Sequence, residues 1–347
     1  MSLYVDIKKT FPDFKLDVQF EGENEVLALL GASGCGKSLI LKCIAGIERP
    51  DSGRIVINNQ VVFDSEKGIN LSPQKRYVGF LFQNYALFPT KTVWNNISSV
   101  IKKPKSERQA IVEDIVQKFQ LDGVKNLYPR QISGGQQQRT ALARILVSQP
   151  KILMLDEPFS ALDTQLKWRM EQEVAAVLKE FEGMTILVSH DRDEVYRISD
   201  KIAVMDNGKI DSVGTKSQIF QSPNTLTAAL MTGCKNVSRV EKVNDRLIKA
   251  LDWGIMLRTK NMVSDNIRHL GVRANHFKFV YNPNENNNCF LCHIHAIIEE
   301  PFENTIVFSF NGSDERLQLK LQKQLSEKLN GKEFTIHVPL DKIIFLE

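Results

Sequence analysis

The stretch of sequence that decides the fold is Gly31-Ala32-Ser33-Gly34-Cys35-Gly36-Lys37-Ser38. It directly follows the apolar run Val26–Leu30 and has the spacing G-x-x-x-x-G-K-[ST], which is typical of a phosphate-binding loop between a strand and a helix. Its glycines let backbone N–H groups point at phosphate oxygens, and the helix that follows adds its positive end. Lys37 can reach the β- and γ-phosphates, and the Ser38 hydroxyl can ligate Mg²⁺.

Two acidic residues end another apolar run. Residues Ile152-Leu153-Met154-Leu155 lead into Asp156-Glu157, and the end of such a strand is where α/β sheets place their ligands. We predict that Asp156 holds Mg²⁺ through water. Glu157, one residue further on, is then suited to polarise an attacking water as a general base.

A second helix start has the features of an anion site. Ser133-Gly134-Gly135-Gln136 precedes an amphipathic stretch that ends near Val147. Ser133 is a good N-cap, and the glycines leave the amide end of the helix sterically open. Because residues 31–38 already enclose one set of phosphates, we infer that this helix end completes the pocket of another copy of the chain.

Composition restricts the class of protein. The 347 residues suit two domains, and 42% hydrophobic with 25% charged residues is ordinary for a folded soluble chain. A net charge of +4 does not favour a nucleic acid as the main partner. The chain has no apolar run of 18 residues and no signal segment at its start, and its five scattered cysteines indicate reduced thiols in a cytosolic protein. Any membrane role is therefore expected to come from docking to another chain.

Two compositional regions divide the chain. Residues 1–231 predict an α/β domain with a parallel sheet and a helical subdomain over about 84–150. Its central strands are predicted at Val26–Leu30, Val78–Phe82, Lys151–Asp156, Thr185–Ser189 and Ile202–Asp206, and two of its helices at Ser106–Phe119 and Gly134–Val147. Residues 232–347 predict a small β-barrel with one amphipathic helix, Leu319–Leu329. Its strands are predicted at Ile255–Thr259, His269–Arg273, Phe290–Ile298, Thr305–Phe310, Phe334–Pro339 and Ile343–Leu346.

The ordered motifs of residues 1–231 resemble those of the ATP-binding subunits of ABC transporters. Ile132-Ser133-Gly134-Gly135-Gln136 is similar to the family's signature, which usually begins with Leu. Gln83 matches the loop glutamine that senses Mg²⁺ and the transmembrane partner. Ser160-Ala161-Leu162-Asp163 matches the loop that crosses the dimer interface, and His190 matches the switch histidine on the γ-phosphate.

The resemblance implies an ATPase with a composite site. Two copies are expected to pack head to tail, with ATP and Mg²⁺ between residues 31–38 of one chain and residues 133–136 of the other, and with Asp163 at the interface. The implied partners are integral membrane permease subunits, docked near residues 83–94, and indirectly an extracytoplasmic solute-binding protein. The chain is then peripheral on the cytoplasmic face of the membrane. The adenine is expected to stack on an aromatic residue upstream of the loop, and we choose Phe11 over Phe14.

Three short segments give indications of which solute is transported. Residues 63–76 and Thr232-Gly233-Cys234-Lys235-Asn236 are similar to molybdate-importer ATPases, and Gly271-Val272-Arg273-Ala274 resembles an element of the OB-like, TOBE-type domains of importer ATPases. The tail does not clearly show the Ser-Ala-Arg-Asn pattern that opens the molybdate-binding module. Whether the tail binds a regulatory oxyanion stays open, and sulfate, iron, polyamine and sugar importers are the alternatives to molybdate.

Readings from other classes are less favoured. Cys289-x-x-Cys292-His293-x-His295 has residue types that bind zinc or haem, but it lies in one predicted strand, where alternate side chains face opposite sides. An ABC ATPase that acts on nucleic acid or the ribosome usually has a long coiled coil before the signature or two ATPase units. Here Gln83 and Ser133 are 50 positions apart and the chain has one phosphate-binding loop. A purely regulatory binding protein does not need the complete set of hydrolytic residues.

Overall fold

The structure is a computed structural model that describes residues 1–160, 164–280, 288–327, 329 and 333–347. The chain divides into two compact units, Met1–Lys216 and Ser217–Glu347. Each unit has a hydrophobic core of its own.

A sheet of eleven strands forms the centre of the first unit, as far as its residues are described. In chain order the strands are β1 (Ser2–Phe11), β2 (Phe14–Glu23), β3 (Val26–Gly31), β4 (Ser52–Ile57), β5 (Gln60–Asp64), β6 (Ile69–Asn70), β7 (Val78–Leu81), β8 (Ile152–Asp156), β9 (Met184–Ser189), β10 (Lys201–Asp206) and β11 (Lys209–Thr215). Their order in the sheet is β6-β5-β4-β1-β2-β11-β10-β3-β9-β8-β7. The five predicted central strands are confirmed to within one residue at each end.

The sheet is mixed rather than parallel throughout. Strands β10, β3, β9, β8 and β7 are parallel neighbours, whereas β1 pairs antiparallel with β2 and β4. The physical reason is the short turn between Phe11 and Phe14, which joins β1 and β2 as a hairpin and so reverses the chain. β3, β8 and β9 are buried along their whole length, as strands covered on both faces should be.

Helices follow or connect these strands. They are α1 (Lys37–Ala45), α2 (Val93–Ser98), α3 (Lys105–Lys118), α4 (Gly134–Leu146), α5 (Thr164–Glu180) and α6 (Arg192–Ile198). The helices α2, α3 and α4 lie between β7 and β8 in the chain, within the predicted helical subdomain of 84–150. The two helices predicted there are confirmed as α3 and α4.

Two five-stranded sheets enclose the core of the second unit, within the residues described. Its elements are α7 (Lys216–Gln221), α8 (Leu226–Met231), β12 (Asn236–Asn244), β13 (Leu247–Ala250), β14 (Ile255–Arg258), β15 (His269–Val272), β16 (Lys278–Val280), β17 (Cys289–Glu299), β18 (Glu303–Phe310), β19 (Leu317–Gln322), α9 (Lys323–Ser326), β20 (Glu333–His337) and β21 (Ile344–Leu346). The sheet orders are β14-β13-β12-β15-β21 and β16-β20-β17-β18-β19. Residues of both sheets pack around the buried Trp253. This arrangement is compatible with a small barrel, and its TOBE-type character stays a prediction.

The predicted helix Leu319–Leu329 is wrong. Residues Leu317–Gln322 form β19, in which Leu317, Leu319 and Leu321 are buried in turn. Among the described residues of this segment, the helix is Lys323–Ser326. Pairing with β18 decides the conformation, because leucines two apart reach the core only from a strand.

The boundary between the units differs from the predicted one at 231/232. The division lies between 216 and 217, so that α8 belongs to the second unit. Ala229 and Cys234 form a buried cluster with Ile344 and Leu346 of β21. Helix α8 is therefore held by the apolar surface of the β-rich unit.

Candidate functional site

The phosphate-binding loop connects β3 with α1. Gly34 and Gly36 have φ angles of +83° and +103°, a region that other residues enter only with strain. At Gly36 an added Cβ would also lie 2.8 Å from Cζ of Phe14. The loop can therefore curl so that its N–H groups converge, as a phosphate-binding loop requires.

Lys37 and Ser38 begin α1 inside this curl. The buried Lys37 ammonium donates to the carbonyl oxygens of Gly31 and Ala32, at 2.8 Å each. The Ser38 hydroxyl donates to Oδ1 of Asp156 at 2.7 Å. Ser38 and Asp156 come together because the end of β8 and the start of α1 meet here, and their role at the phosphates stays a prediction.

The contact between Ser38 and Asp156 fits Mg²⁺. A hydroxyl and a carboxylate are the hard oxygen ligands that this ion takes together with substrate phosphates. Burial raises the pKa of the Asp156 carboxyl, and the hydrogen bond from Ser38 opposes that rise. The described residues contain no group of three or more His, Cys, Asp or Glu that could hold a metal by itself, so the remaining ligands are expected from phosphate and water.

Glu157 and His190 face each other where β8 and β9 end. Glu157 has a φ of +46°, and its N–H donates to the carbonyl of Val188, so that the β8–β9 ladder continues into the site. Its Oε1 lies 3.2 Å from Nδ1 of His190. A carboxylate and an imidazole in contact can orient a water molecule and accept its proton.

Gln83 joins this pair from the end of β7. Its Nε2 donates to Oγ of Ser160 at 3.3 Å, and that hydroxyl donates to the backbone oxygen of Glu157 at 3.0 Å. Because β7, β8 and β9 are parallel neighbours, the residues that follow them meet at one edge of the sheet.

The signature residues begin α4 as predicted. Oγ of Ser133 accepts from the N–H of Gln136 at 3.3 Å, and Oε1 of Gln136 accepts from the N–H of Ser133 at 2.9 Å. This reciprocal pair is a capping box. The N-cap role of Ser133 is confirmed, and the completion of a second copy's pocket stays a prediction.

The adenine platform and Asp163 also stay predictions. Phe11 is 39% exposed at the end of the β1–β2 hairpin, with the Lys9 ammonium 5.2 Å from its ring centroid. Phe14 lies nearer the loop, because its ring is the contact that an added Cβ on Gly36 would meet. Asp163 lies outside the described residues.

The cysteine and histidine pattern forms a strand, as predicted. Within β17 the Cys292 side chain is fully buried and burial raises the pKa of its thiol, whereas His295 is exposed and contacts Ser309 at 3.0 Å. The rings of His293 and His295 are 5.3 Å apart. Alternate side chains of this strand thus face the core and the outside.

The sequence reasoning missed a partly buried group of charges beside His190. It lies between α5 and α6 and consists of Lys167, Glu171, Asp191, Glu194 and Arg197. The available signal was the spacing of Lys167 and Glu171, and of Glu194 and Arg197, which puts each pair on one helix face.

Comparison with known proteins gives the family to which the chain is similar. A family model described as "ABC transporter" matches residues 15–160. The iron importer protein of Haemophilus influenzae, "Fe(3+) ions import ATP-binding protein FbpC", is 37% identical over 75% of each chain. "Spermidine/putrescine import ATP-binding protein PotA" of Legionella pneumophila is 39% identical over 72% of this chain and 69% of its own. "Sulfate/thiosulfate import ATP-binding protein CysA" of Synechocystis is 40% identical, and the match spans 64% of this chain and 63% of that relative.

The solved structures that are similar to this chain are also ATP-binding cassettes of ABC transporters. A dimeric ATP-binding cassette in a post-hydrolysis state, bound to ADP and Pi, has 25% identity and a TM-score of 0.53 over 62% of this chain and 99% of its own. The cbiO1 protein of Clostridium perfringens, part of the ABC transporter complex cbiONQ, has 29% identity and a TM-score of 0.54 over 63% of this chain and 90% of its own. Fold and loop define a P-loop protein that binds a nucleoside triphosphate.

The relatives narrow that class. The chain belongs to the ABC transporter family, among the ATP-binding subunits of importers. In the part of the chain that is described, no helix has the length and apolar character needed to span a membrane.

Proposed function

We propose that this chain hydrolyses ATP to energise an ABC importer, as a homodimer bound to membrane permease subunits at the cytoplasmic face. The observation that carries the proposal is the meeting of two pairs at one sheet edge: Ser38 with Asp156, and Glu157 with His190. The first pair suits Mg²⁺ and the second suits the activation of water. The import relatives support the transport role.

The chemistry follows from the charges on these residues. ATP phosphates compete for the Lys37 ammonium, which now binds two backbone carbonyl oxygens. Ser38 and Asp156 would hold Mg²⁺, which when bound neutralises part of the phosphate charge. Glu157 accepts the proton of the attacking water, while His190 fixes the direction of the Glu157 carboxylate from 3.2 Å away.

The pocket is completed by a second copy in this proposal. The N-terminus of α4 carries free N–H groups and a positive dipole end, and its glycines allow a phosphate to come close. Two copies arranged head to tail bring α4 of each to the ATP of the other. The dimeric state of the cassette bound to ADP and Pi supports a dimer of this chain.

The solute is proposed to be a small ion such as sulfate, with molybdate as the competing reading. Relatives of similar identity carry names for sulfate/thiosulfate, Fe(3+) and spermidine/putrescine import, which favours the alternatives over molybdate. Residues of the segments that resemble molybdate importers make hydrogen bonds that stabilise the fold. Arg76 donates to the carbonyls of Cys43 and Ile44, and Asn236 bonds Val272 and Gln318.

The experiment that tests the proposed function compares the wild type with Glu157→Gln. We expect the wild type to hydrolyse ATP. The variant should bind ATP with unchanged affinity and lose at least about a hundredfold in kcat, because the amide accepts no proton. Glu173→Gln, at a partly exposed acid of α5 that contacts Arg169 and Arg139, is the control. Normal hydrolysis by Glu157→Gln would refute the base assignment.

Deletion of the gene tests the solute. Uptake of labelled sulfate should fall in the deletion strain, and uptake of molybdate should stay normal. Loss of molybdate uptake with normal sulfate uptake would instead favour molybdate as the solute. If the uptake of both stays normal, the uptake of iron and of polyamines would be measured next.

A further inference from the structure

A group of five charges, two of them buried carboxylates, lies beside the loop that holds His190. We call it the α5–α6 charge cluster: Lys167 and Glu171 of α5, Asp191 at the N-cap of α6, and Glu194 and Arg197 of α6. Glu171 and Glu194 are 1% and 3% exposed. Carboxylates are rarely buried so completely unless they have charged partners.

Lys167 is the cation that two of these acids share. Its ammonium forms a short hydrogen bond with Oδ2 of Asp191 and lies 3.6 Å from Oε2 of Glu194. Arg197 is occupied elsewhere, since its guanidinium binds Oε2 of Glu171 at 2.7 Å. Loss of the Lys167 charge would therefore leave two neighbouring carboxylates facing each other.

Two carboxylate oxygens of the cluster have no donor that could compensate for such a loss. Oε1 of Glu171 and Oε1 of Glu194 are both buried and, among the described residues, meet no hydrogen-bond donor. An unpaired buried carboxylate oxygen already carries a desolvation cost. Repulsion between Asp191 and Glu194 is then most easily relieved by movement of the α6 start.

The start of α6 is also the loop that holds His190. Asp191 follows His190 and caps α6 by accepting from the N–H groups of Asp193 and Glu194, at 2.9 and 3.2 Å. The Asp191 N–H donates to Oγ of Ser189 at 3.0 Å. His190 thus lies between two anchored neighbours, and its ring reaches Glu157.

We propose that Lys167 is a positioning residue for ATP hydrolysis, which ties α5 to the His190 loop so that His190 keeps its contact with Glu157. The proposal rests on the proposed function. Lys167 lies in the first turn of α5, immediately after the segment 160–163 that is predicted to cross the dimer interface. A shift of α5 on dimer formation would reach His190 through this ammonium.

The test compares Lys167→Met with Lys167→Arg in the full chain. Lys167→Met keeps the length and removes the charge, and should lower kcat about tenfold with the KM for ATP within about twofold, because residues 31–38 are untouched. Lys167→Arg should restore most of kcat. Arg169→Met is the matched control: Arg169 lies on the same helix with its side chain 66% exposed, and its loss should leave both constants unchanged.

A second readout follows the charge balance. Glu194→Gln added to Lys167→Met removes one of the two repelling carboxylates, so the double variant should recover kcat relative to Lys167→Met. Burial raises the pKa of Glu194 to about 7, so lowering the pH from 8 to 6 should also recover part of the activity of Lys167→Met relative to the wild type. The charged groups that face Glu194 are Lys167, Asp191 and Glu171.

The position of His190 can be observed without hydrolysis. In the nucleotide-free chain its ring NMR signals should move in Lys167→Met and not in Arg169→Met. Lys167→Gln, which keeps a donor, replaces Lys167→Met if that variant does not fold. Unmoved His190 signals, wild-type kcat, or equal losses in the Met and Arg variants would overturn the inference. Absence of ATPase activity in the wild type would instead refute the proposed function, and the NMR comparison would still decide this one.

Discussion

Single buried polar residues hold the walls of the site in place. Arg76 is 1% exposed and donates to four acceptors: the carbonyls of Cys43, Ile44 and Leu71, and Oδ1 of Asn70. Two of these carbonyls belong to the last turn of α1, whose final C=O groups lack helical partners. One guanidinium therefore adds to the Gly46 N–H at the end of the helix that begins with Lys37 and Ser38.

Replacement of Arg76 by Met should lower the free energy of unfolding by about 3 kcal/mol, because buried carbonyl groups lose their donors. Urea unfolding followed by circular dichroism measures the change. Arg54→Met is the control: Arg54 is half exposed and its contact with Asp64 is 3.7 Å, so its loss should cost less than about 1 kcal/mol. Equal effects of the two variants would contradict the role given to Arg76.

Pairs of elements bring the catalytic residues together. Gln83, Glu157 and His190 each follow a parallel strand, and the sheet order β9-β8-β7 makes their positions adjacent. The helices α5 and α6 then pack their charged faces against each other behind His190. Strand order thus assembles the site, and helix packing supports it.

The buried Glu194 makes this helix pair sensitive to pH. Burial raises the pKa of Glu194 to about 7 from 4.5. An acid with a raised folded-state pKa binds more protons when folded, so stability falls as the pH rises from about 4.5 to 7 and is then constant for this group. The loss amounts to about 3 kcal/mol. Asp191 has a lowered pKa despite its partial burial, because Lys167 binds it. Its protonation therefore affects stability only in more acidic solution.

Glu194→Gln should remove this part of the pH dependence. Unfolding in urea at pH 5.5 and at pH 7.5 measures it, and the difference between the two values should shrink in the variant. Glu173→Gln, a change at an acid of α5 whose side chain is 30% exposed, should keep the wild-type difference. An unchanged pH dependence in Glu194→Gln would show that Glu194 is ionised throughout this range.

The whole molecule holds two features that are predicted to bind phosphate, and a single copy does not combine them in its described contacts. Residues 31–38 form the loop between β3 and α1 and the start of α1. Ser133–Gln136 begin α4 in the helical subdomain, where Ser133 and Gln136 bond each other. Symmetric head-to-tail pairing would give each copy both features.

Mixing two inactive variants tests this division. Lys37→Ala removes the phosphate ligand of one feature and Ser133→Arg blocks the other, so each variant alone should be inactive. A mixed dimer has one site with both features intact. The mixture should therefore recover up to about a quarter of wild-type activity, since half of the dimers are mixed and half of their sites are whole. Two Lys37→Ala samples serve as the control, and no recovery in the mixture would argue against a shared site.

The sequence by itself determined the central strands, α3, α4 and the phosphate-binding loop, because buried strands and loops with special φ angles demand particular residues at short spacing. It also placed Ser38, Asp156, Glu157 and His190 at element ends. Tertiary structure alone decided that Leu317–Gln322 is a strand, that α8 joins the second unit, and that Lys167 reaches Asp191 and Glu194. These outcomes depend on contacts between residues that are distant in the chain. Local sequence spacing cannot predict them, because such contacts form only when the chain folds.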